Sequence, residues 1–89
     1  MGNAEFELIC RKTVADWYSR NREEINADNV YVVWICKALQ NNKALLATTK
    51  PDGMYFEVTY NGDKNEMYLD AYSKAENILI PIKEDNHEN

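Results

Sequence analysis

Five carboxylates in the second half of the chain are the residues whose spacing could support chemistry. They lie between Asp52 and Asp70 and include Glu57, Asp63 and Glu66. Two carboxylates held close together can act as general acid and general base. No neighbouring residue type fixes these five, however, and aspartates in turns and glutamates on exposed strand positions explain the same pattern. We therefore predict no catalytic residue and no enzyme activity.

Metal and nucleophile chemistry lack their usual residues. Cys10 and Cys36 are far apart and form no C-x-x-C pair, so both are predicted to be reduced, unreactive core residues. The single histidine, His87, lies in a polar tail, which deprives zinc sites and histidine-assisted nucleophiles of a partner. Neither a calcium loop nor a glycine-rich phosphate cradle occurs. We predict no metal site and no cofactor.

Composition and charge narrow the possible partners. The chain has 89 residues, of which 45% are hydrophobic and 28% charged, which is typical of one globular domain. We predict that this domain covers residues 1–82 and that residues 83–89 form a disordered polar tail. The net charge of −5 argues against a general nucleic-acid binder. With no apolar run of about 18 residues and no signal peptide, we expect no membrane partner and a cytoplasmic location.

The N-terminal segment is predicted to be a helix that docks on the rest of the chain. Asn3 is a plausible N-cap, and the helix is expected to run from about Ala4 to Tyr18 or Arg20. Its less polar positions recur every three or four residues and form one stripe: Phe6, Ile9, Cys10, Thr13, Val14 and Trp17.

Four strands are predicted to follow in sequence. The first two are Val30–Leu39 and Ala44–Thr49, and the other two flank the turn at Asn61-Gly62 within Met54–Tyr72. In the last hairpin we expect Val58 to pair with Met67. Every connection is short, so the predicted fold is α+β, with an N-terminal helix packed on a four-stranded antiparallel meander in two layers and a short C-terminal segment beyond it.

The expected turns divide the strand residues between two faces. We predict a core face covered by the helix and made of Val32, Trp34, Cys36, Ala38, Leu45, Ala47, Phe56, Val58, Met67 and Leu69. The outer face would then collect Tyr31, Val33, Ile35, Leu46, Tyr55, Tyr68 and Tyr72, with Lys37, Glu57 and Asp70 among them. A contiguous aromatic and aliphatic patch usually marks an interface, so we predict that this face binds a protein partner or a second copy of the chain.

Two other arrangements would remove this interface. The apolar run Ile78–Ile82 could fold back and cover the outer face within the same chain. Alternatively, a bulge could reverse the facing of one strand.

Three runs of the sequence resemble a known family. LQNNKALL, DGMYFEVTYNGDK and YLDAY are similar to runs in small proteins encoded by phages and prophages of Gram-positive bacteria, a family catalogued only as a domain of unknown function. The similarity extends from the N-terminal helix through the last hairpin. It implies no site residue, but it does imply a phage accessory protein in the bacterial cytoplasm.

Two function classes remain. We expect a non-enzymatic accessory protein that works by protein–protein contact and binds or inhibits a host or defence factor. The alternative is a small-ligand or nucleotide-binding module that sequesters a signal, with its pocket between helix and sheet or at a dimer seam.

Overall fold

A computed structural model describes residues 1–83. It contains one helix, α1 (Asn3–Asn21), a short 3-10 turn (Ala27–Asn29) and four strands: β1 (Val30–Ala38), β2 (Asn41–Thr48), β3 (Met54–Asn61) and β4 (Glu66–Ser73). The strands form one antiparallel sheet in the order β1-β2-β3-β4. This confirms the predicted two-layer α+β meander. The predicted polar tail, including His87, lies outside the described residues apart from Lys83.

Helix α1 packs on the sheet through side chains that recur every four residues. Phe6, Cys10, Val14 and Tyr18 are all buried, because this spacing places them one above another on a single face. Arg11 ties the helix to the sheet, since its guanidinium donates to the carbonyl oxygen of Val30. The predicted helix is confirmed, although Gly2 rather than Asn3 is the N-cap.

The core lies between the helix and the middle of the sheet. Its fully buried strand residues include Ala44 and Leu46 of β2, and Phe56 and Val58 of β3. Trp17 closes one side of this core, with its ring centroid 5.0 Å from that of Phe56. Strand β4 is less covered, because its core-side residues Met67 and Leu69 are only half-buried.

The predicted facing of β2 was wrong, and the length of one turn explains the error. A four-residue turn at residues 50–53 would have placed Leu45 on the core side. The observed connection has five residues, Thr49–Gly53, and pairs Leu46 with Phe56. One additional turn residue moves every side chain of a strand to the opposite face. Leu46 is therefore fully buried, and Leu45 lies on the face away from α1.

A β-bulge produces a second correction, in β1. The register between β1 and β2 shifts between Val32 and Trp34, so that Val33 is the extra residue. Beyond the bulge, Ile35 pairs with the core residue Ala44 and therefore lies on the helix side. Five residues predicted in the core lie on the other face as a result of these two shifts: Trp34, Cys36, Ala38, Leu45 and Ala47.

The last hairpin differs from its predicted register by two residues. Val58 pairs with Leu69 rather than Met67, and the loop is Gly62–Asn65. A two-residue shift leaves the facing unchanged, so the faces predicted for β3 and β4 are confirmed. Glycine is required at Gly62 because a Cβ there would lie 2.1 Å from the backbone oxygen of Gln40 at the β1–β2 tip.

Candidate protein-binding surface

The face of the sheet that points away from α1 has several exposed aromatic side chains. We call it the open face. It is formed by Tyr31, Trp34, Cys36, Ala38, Asn41, Lys43, Leu45, Ala47, Tyr55, Glu57, Thr59, Tyr68, Asp70 and Tyr72. Four of its aromatic side chains are exposed: Trp34 by 41%, Tyr31 by 48%, Tyr72 by 51% and Tyr68 by 55%.

Three tyrosines gather at one end of the open face. Tyr31 pairs with Ala47 across β1 and β2, and Tyr55 pairs with Tyr72 across β3 and β4. The small side chain of Ala47 leaves a hollow of about 280 Å³ lined in part by Tyr31, Tyr55 and Lys74. Tyrosine offers a large apolar body with a polar tip, which suits a surface that alternates between water and a protein partner.

The centre of the open face combines an apolar pair with two facing carboxylates. Trp34 pairs with Leu45 on one side, and Glu57 pairs with Asp70 on the other. Like charges directly opposite each other on neighbouring strands destabilise a sheet. Lys43 offsets part of this repulsion, because its Nζ lies 3.6 Å from Oε1 of Glu57.

The other end of the open face holds a second hollow and an exposed thiol. The hollow has a volume of about 320 Å³ and is lined in part by Cys36, Lys43, Thr59 and Asn61. Cys36 is exposed, which contradicts the prediction that it is a core residue. Nearby on β4, the hydroxyl of Tyr68 donates to Oε1 of Glu66 at 2.9 Å, and this hydrogen bond to the carboxylate raises the pKa of Tyr68.

The chain beyond β4 carries a row of exposed aliphatic side chains. We call residues 74–83 the C-terminal arm. Ile78, Leu79, Ile80 and Ile82 are exposed by 64%, 90%, 74% and 88%, respectively. The arm is anchored at its root, where the backbone N–H of Lys74 donates to the carbonyl oxygen of Gly53 at 2.8 Å. In this single chain the arm therefore covers neither the open face nor the core.

Two of the five carboxylates considered for acid–base chemistry, Asp52 and Asp63, lie in turns. Asp52 accepts a hydrogen bond from the hydroxyl of Tyr18 at 2.6 Å and lies 3.6 Å from Nη1 of Arg22. Burial and this bond to Asp52 raise the pKa of Tyr18. The cluster joins the end of α1 to the β2–β3 turn. Asp63 lies in the β3–β4 loop, where its N–H donates to Oδ1 of Asn61.

The remaining chemical groups add no second site within the described part of the chain. Burial raises the pKa of the Cys10 thiol to about 12, with a further contribution from the charge of Glu7, so this sulfur is a poor nucleophile. Across residues 1–83, histidine, cysteine, aspartate and glutamate form no group of three placed to hold a metal ion. The same residues include no helix with the length and apolarity needed to cross a membrane.

The structure brings together four of the seven residues predicted for the interaction surface. Tyr31, Tyr55, Tyr68 and Tyr72 lie on the open face. Val33 is the bulge residue and is exposed by 48%. The remaining two predictions were wrong, because Ile35 and Leu46 lie on the helix side. Lys37 is also on that side, paired with the buried Asn42.

Sequence reasoning missed five residues that the corrected facing adds to the open face, and three of them have side chains larger than that of alanine. These are Trp34, Leu45 and Cys36. Val32-Val33-Trp34-Ile35 is apolar throughout, so no alternation with polar residues marks the bulge.

Comparison with known proteins identifies a family but no function. The chain belongs to a family of unknown function, DUF6275, whose sequence profile matches residues 7–82. The matched region includes the whole sheet and the apolar part of the C-terminal arm. No curated protein and no solved structure matches the chain.

Proposed function

We propose that this member of the DUF6275 family is a non-enzymatic interaction protein that works by protein–protein contact through its open face. The observation that carries the proposal is the uncovered row of aromatic side chains on that face. Isolated exposed apolar residues are common on protein surfaces, whereas a contiguous aromatic patch is typical of an interface. Helix α1 covers the opposite face of the sheet over the two central strands. One face is therefore buried core, and the open face is exposed.

The carboxylate pair gives independent support. Glu57 and Asp70 face each other on the open face, and Lys43 neutralises only part of their charge. Natural sequences keep unfavourable local arrangements, such as facing like charges, chiefly at functional sites, where a partner compensates for the lost stability. A partner with a basic group at its centre and apolar groups around it would complement this face.

A cellular setting for this contact follows from the sequence resemblance. We infer that the protein is a phage or prophage accessory protein of Gram-positive bacteria that acts in the host cytoplasm and binds a host or defence factor. The test is the gene neighbourhood of family members: genes for phage structural or lysogeny proteins should flank most of them. A distribution among chromosomal housekeeping genes would contradict this setting without affecting the role of the open face.

A small-ligand module is the second candidate, favoured by the hollow of about 320 Å³ at the Cys36 end of the open face. A nucleotide would need cationic or N–H donors for its phosphates. Lys43 is the cation that lines this hollow, and it is already paired with Glu57. Thermal unfolding in the presence of a nucleotide panel tests this alternative, because a ligand that binds only the folded state raises the melting temperature.

The interaction function is tested by affinity capture from bacterial lysate with matched surface variants. Tyr68→Lys and Trp34→Lys place a charge on the open face, whereas Leu8→Lys places the same charge on the outer side of α1, where Leu8 is 54% exposed. We expect proteins captured by the wild type to be retained by Leu8→Lys and lost from both open-face variants. Equal capture by all three variants would refute the role of the open face.

A further inference from the structure

The C-terminal arm has a composition that favours burial. Four large aliphatic side chains in five residues are exposed by 64% or more, an arrangement with no benefit for the single chain. The rest of the described molecule does not shelter them, and the Cα radius of gyration is 16.5 Å. A compact chain of this length has a radius of gyration of about 12 Å. The arm therefore lacks the surface that it would pack against.

The dimensions of the arm match the open face. Residues 78–82 span about 16 Å when extended, at about 3.3 Å per residue. Four strands separated by about 4.8 Å give a sheet about 14 Å wide. The apolar part of the arm can thus cross the whole open face, including Tyr72, Tyr55 and Leu45. Pro81 removes one N–H donor, which suits packing by side chains more than pairing as a fifth strand.

The arm's anchor favours a neighbouring molecule over the arm's own face. The hydrogen bond from Lys74 to Gly53 fixes the root at the corner of the sheet. In the single chain the arm does not return to its own face, because its large aliphatic side chains at positions 78, 79, 80 and 82 are exposed by 64% or more. From the same root, an extended arm reaches about 26 Å over residues 75–82, which is enough to lie on a second molecule.

We propose that the C-terminal arm of one copy docks on the open face of a second copy, so that two copies exchange arms. This inference rests on the proposed function, because it takes the open face to be a protein contact surface and names one occupant. Exchange by twofold symmetry fills both faces at once and covers one side of each arm. With four large side chains on each arm and a matching area on each face, the two contacts bury on the order of 2,000 Å² in total, within the size range of stable interfaces.

Arm exchange also regulates access to the open face. A different protein partner competes with the arm for the same aromatic surface. Removing the arm therefore frees the face, and binding to such a partner is expected to strengthen rather than weaken.

The first test is sedimentation at micromolar concentration. We expect a dimer for the wild type and a monomer for a chain truncated after Asn77, with at least tenfold weaker self-association for Ile80→Asp. Leu8→Asp on the outer side of α1 is the matched control and should remain dimeric. Since no arm side chain is buried, truncation should leave the melting temperature of the dissociated chain unchanged, which separates loss of assembly from loss of folding.

The second test uses the native thiol of the open face. One chain keeps Cys36, and a differently tagged chain carries Cys36→Ser together with cysteine at position 78, 79, 80 or 82. Because Cys10 is buried in both, a short thiol cross-linker can join the two chains only between Cys36 of one and the arm of the other. We expect such mixed dimers well above the yield with Leu8→Cys in the Cys36→Ser background.

The outcomes separate this inference from the proposed function. A dimer that survives truncation, or mixed cross-links no more frequent than with Leu8→Cys at all four positions, overturns arm exchange while the open face keeps its proposed role. A monomeric wild type also overturns exchange. The proposed function fails separately, if charges on the open face leave both assembly and partner capture unchanged.

Discussion

Two adjacent leucines on β2 provide a direct test of which sheet face is the core. Leu46 is fully buried and pairs with Phe56, whereas Leu45 is half-buried on the open face and pairs with Trp34 and Glu57. Replacing either by alanine removes the same atoms at adjacent positions of one strand. Differences between the two variants therefore report only the surroundings of each side chain.

The expected loss in the free energy of unfolding is about three times larger for Leu46→Ala than for Leu45→Ala. Leu→Ala at a fully buried site costs about 3–5 kcal/mol, because the transfer free energy and a residual cavity add. We take about 3 kcal/mol for Leu46→Ala, the lower end of this range. Because Leu45 is half-buried, Leu45→Ala should lower the free energy of unfolding by about 1 kcal/mol. A domain of this length has a total stability of about 4–13 kcal/mol, so only the first variant approaches unfolding.

Urea denaturation followed by tryptophan fluorescence measures both values. Trp17 reports on the core, since its ring packs at 5.0 Å from that of Phe56. With a dependence of about 1 kcal/mol per molar urea, the midpoint should fall by about 3 M for Leu46→Ala and about 1 M for Leu45→Ala. Leu46→Val, with a smaller loss, replaces Leu46→Ala if the latter is unfolded without urea. An equal or larger shift for Leu45→Ala would refute the assigned facing of β2.

Four further predictions follow from individual side chains. A maleimide should label Cys36 rapidly and Cys10 only after unfolding, as read by peptide mass spectrometry, because Cys36 is exposed and Cys10 is buried with a pKa of about 12. The folded-state pKa of Cys10 lies above its ordinary value of 9.0, so its contribution to the free energy of unfolding is fully present below about pH 9. That contribution is lost as the pH rises towards 12, by up to about 4 kcal/mol, and urea titrations at several pH values should show a smaller loss in Cys10→Val. Tyr18→Phe removes the hydrogen bond to the Asp52 carboxylate and should reduce the free energy of unfolding by about 1.5–3 kcal/mol, measured by urea denaturation. Leu39→Asn should raise the melting temperature by several degrees, equivalent to about 1 kcal/mol, because Leu39 has a φ of 57° at the β1–β2 tip and asparagine tolerates that conformation better.

The parts of the fold that sequence reasoning predicted well are those with alternating residue types. In β3, Phe56 and Val58 alternate with Glu57 and Thr59, and this pattern fixes the facing whatever the register of the hairpin. The four-residue spacing of α1 was equally informative. Tyr18 was nevertheless left out of the helix stripe, because its hydroxyl is satisfied by Asp52, a partner 34 residues away that no local pattern reveals.

The parts that could not be predicted depend on single residues in turns and bulges. Pro51-Asp52-Gly53 marks a turn, and its glycine has the expected positive φ of 72°. The same signal does not decide whether Thr49 belongs to the strand or to the turn. That one residue decides which of Leu45 and Leu46 is core. The bulge at Val33 partly offset this error. Val32, before the bulge, lies on the core side as predicted, whereas Ile35, after the bulge, lies on the core side although it was predicted on the outer face.

The distribution of unfavourable features separates a folding surface from a binding surface. On the helix side the central strand residues Ala44, Leu46, Phe56 and Val58 are apolar and fully buried, and Tyr18 has its partner. On the open face the carboxylates of Glu57 and Asp70 lie opposite each other, and exposed tyrosines surround them. These features destabilise the single chain and are not required for its core. A second molecule that buries the aromatic side chains lowers the cost of exposing them, and the arm supplies matching aliphatic groups within the same sequence. In the arm exchange that we propose, the two unfavourable surfaces of one chain, the open face and the arm, cover each other when two copies meet.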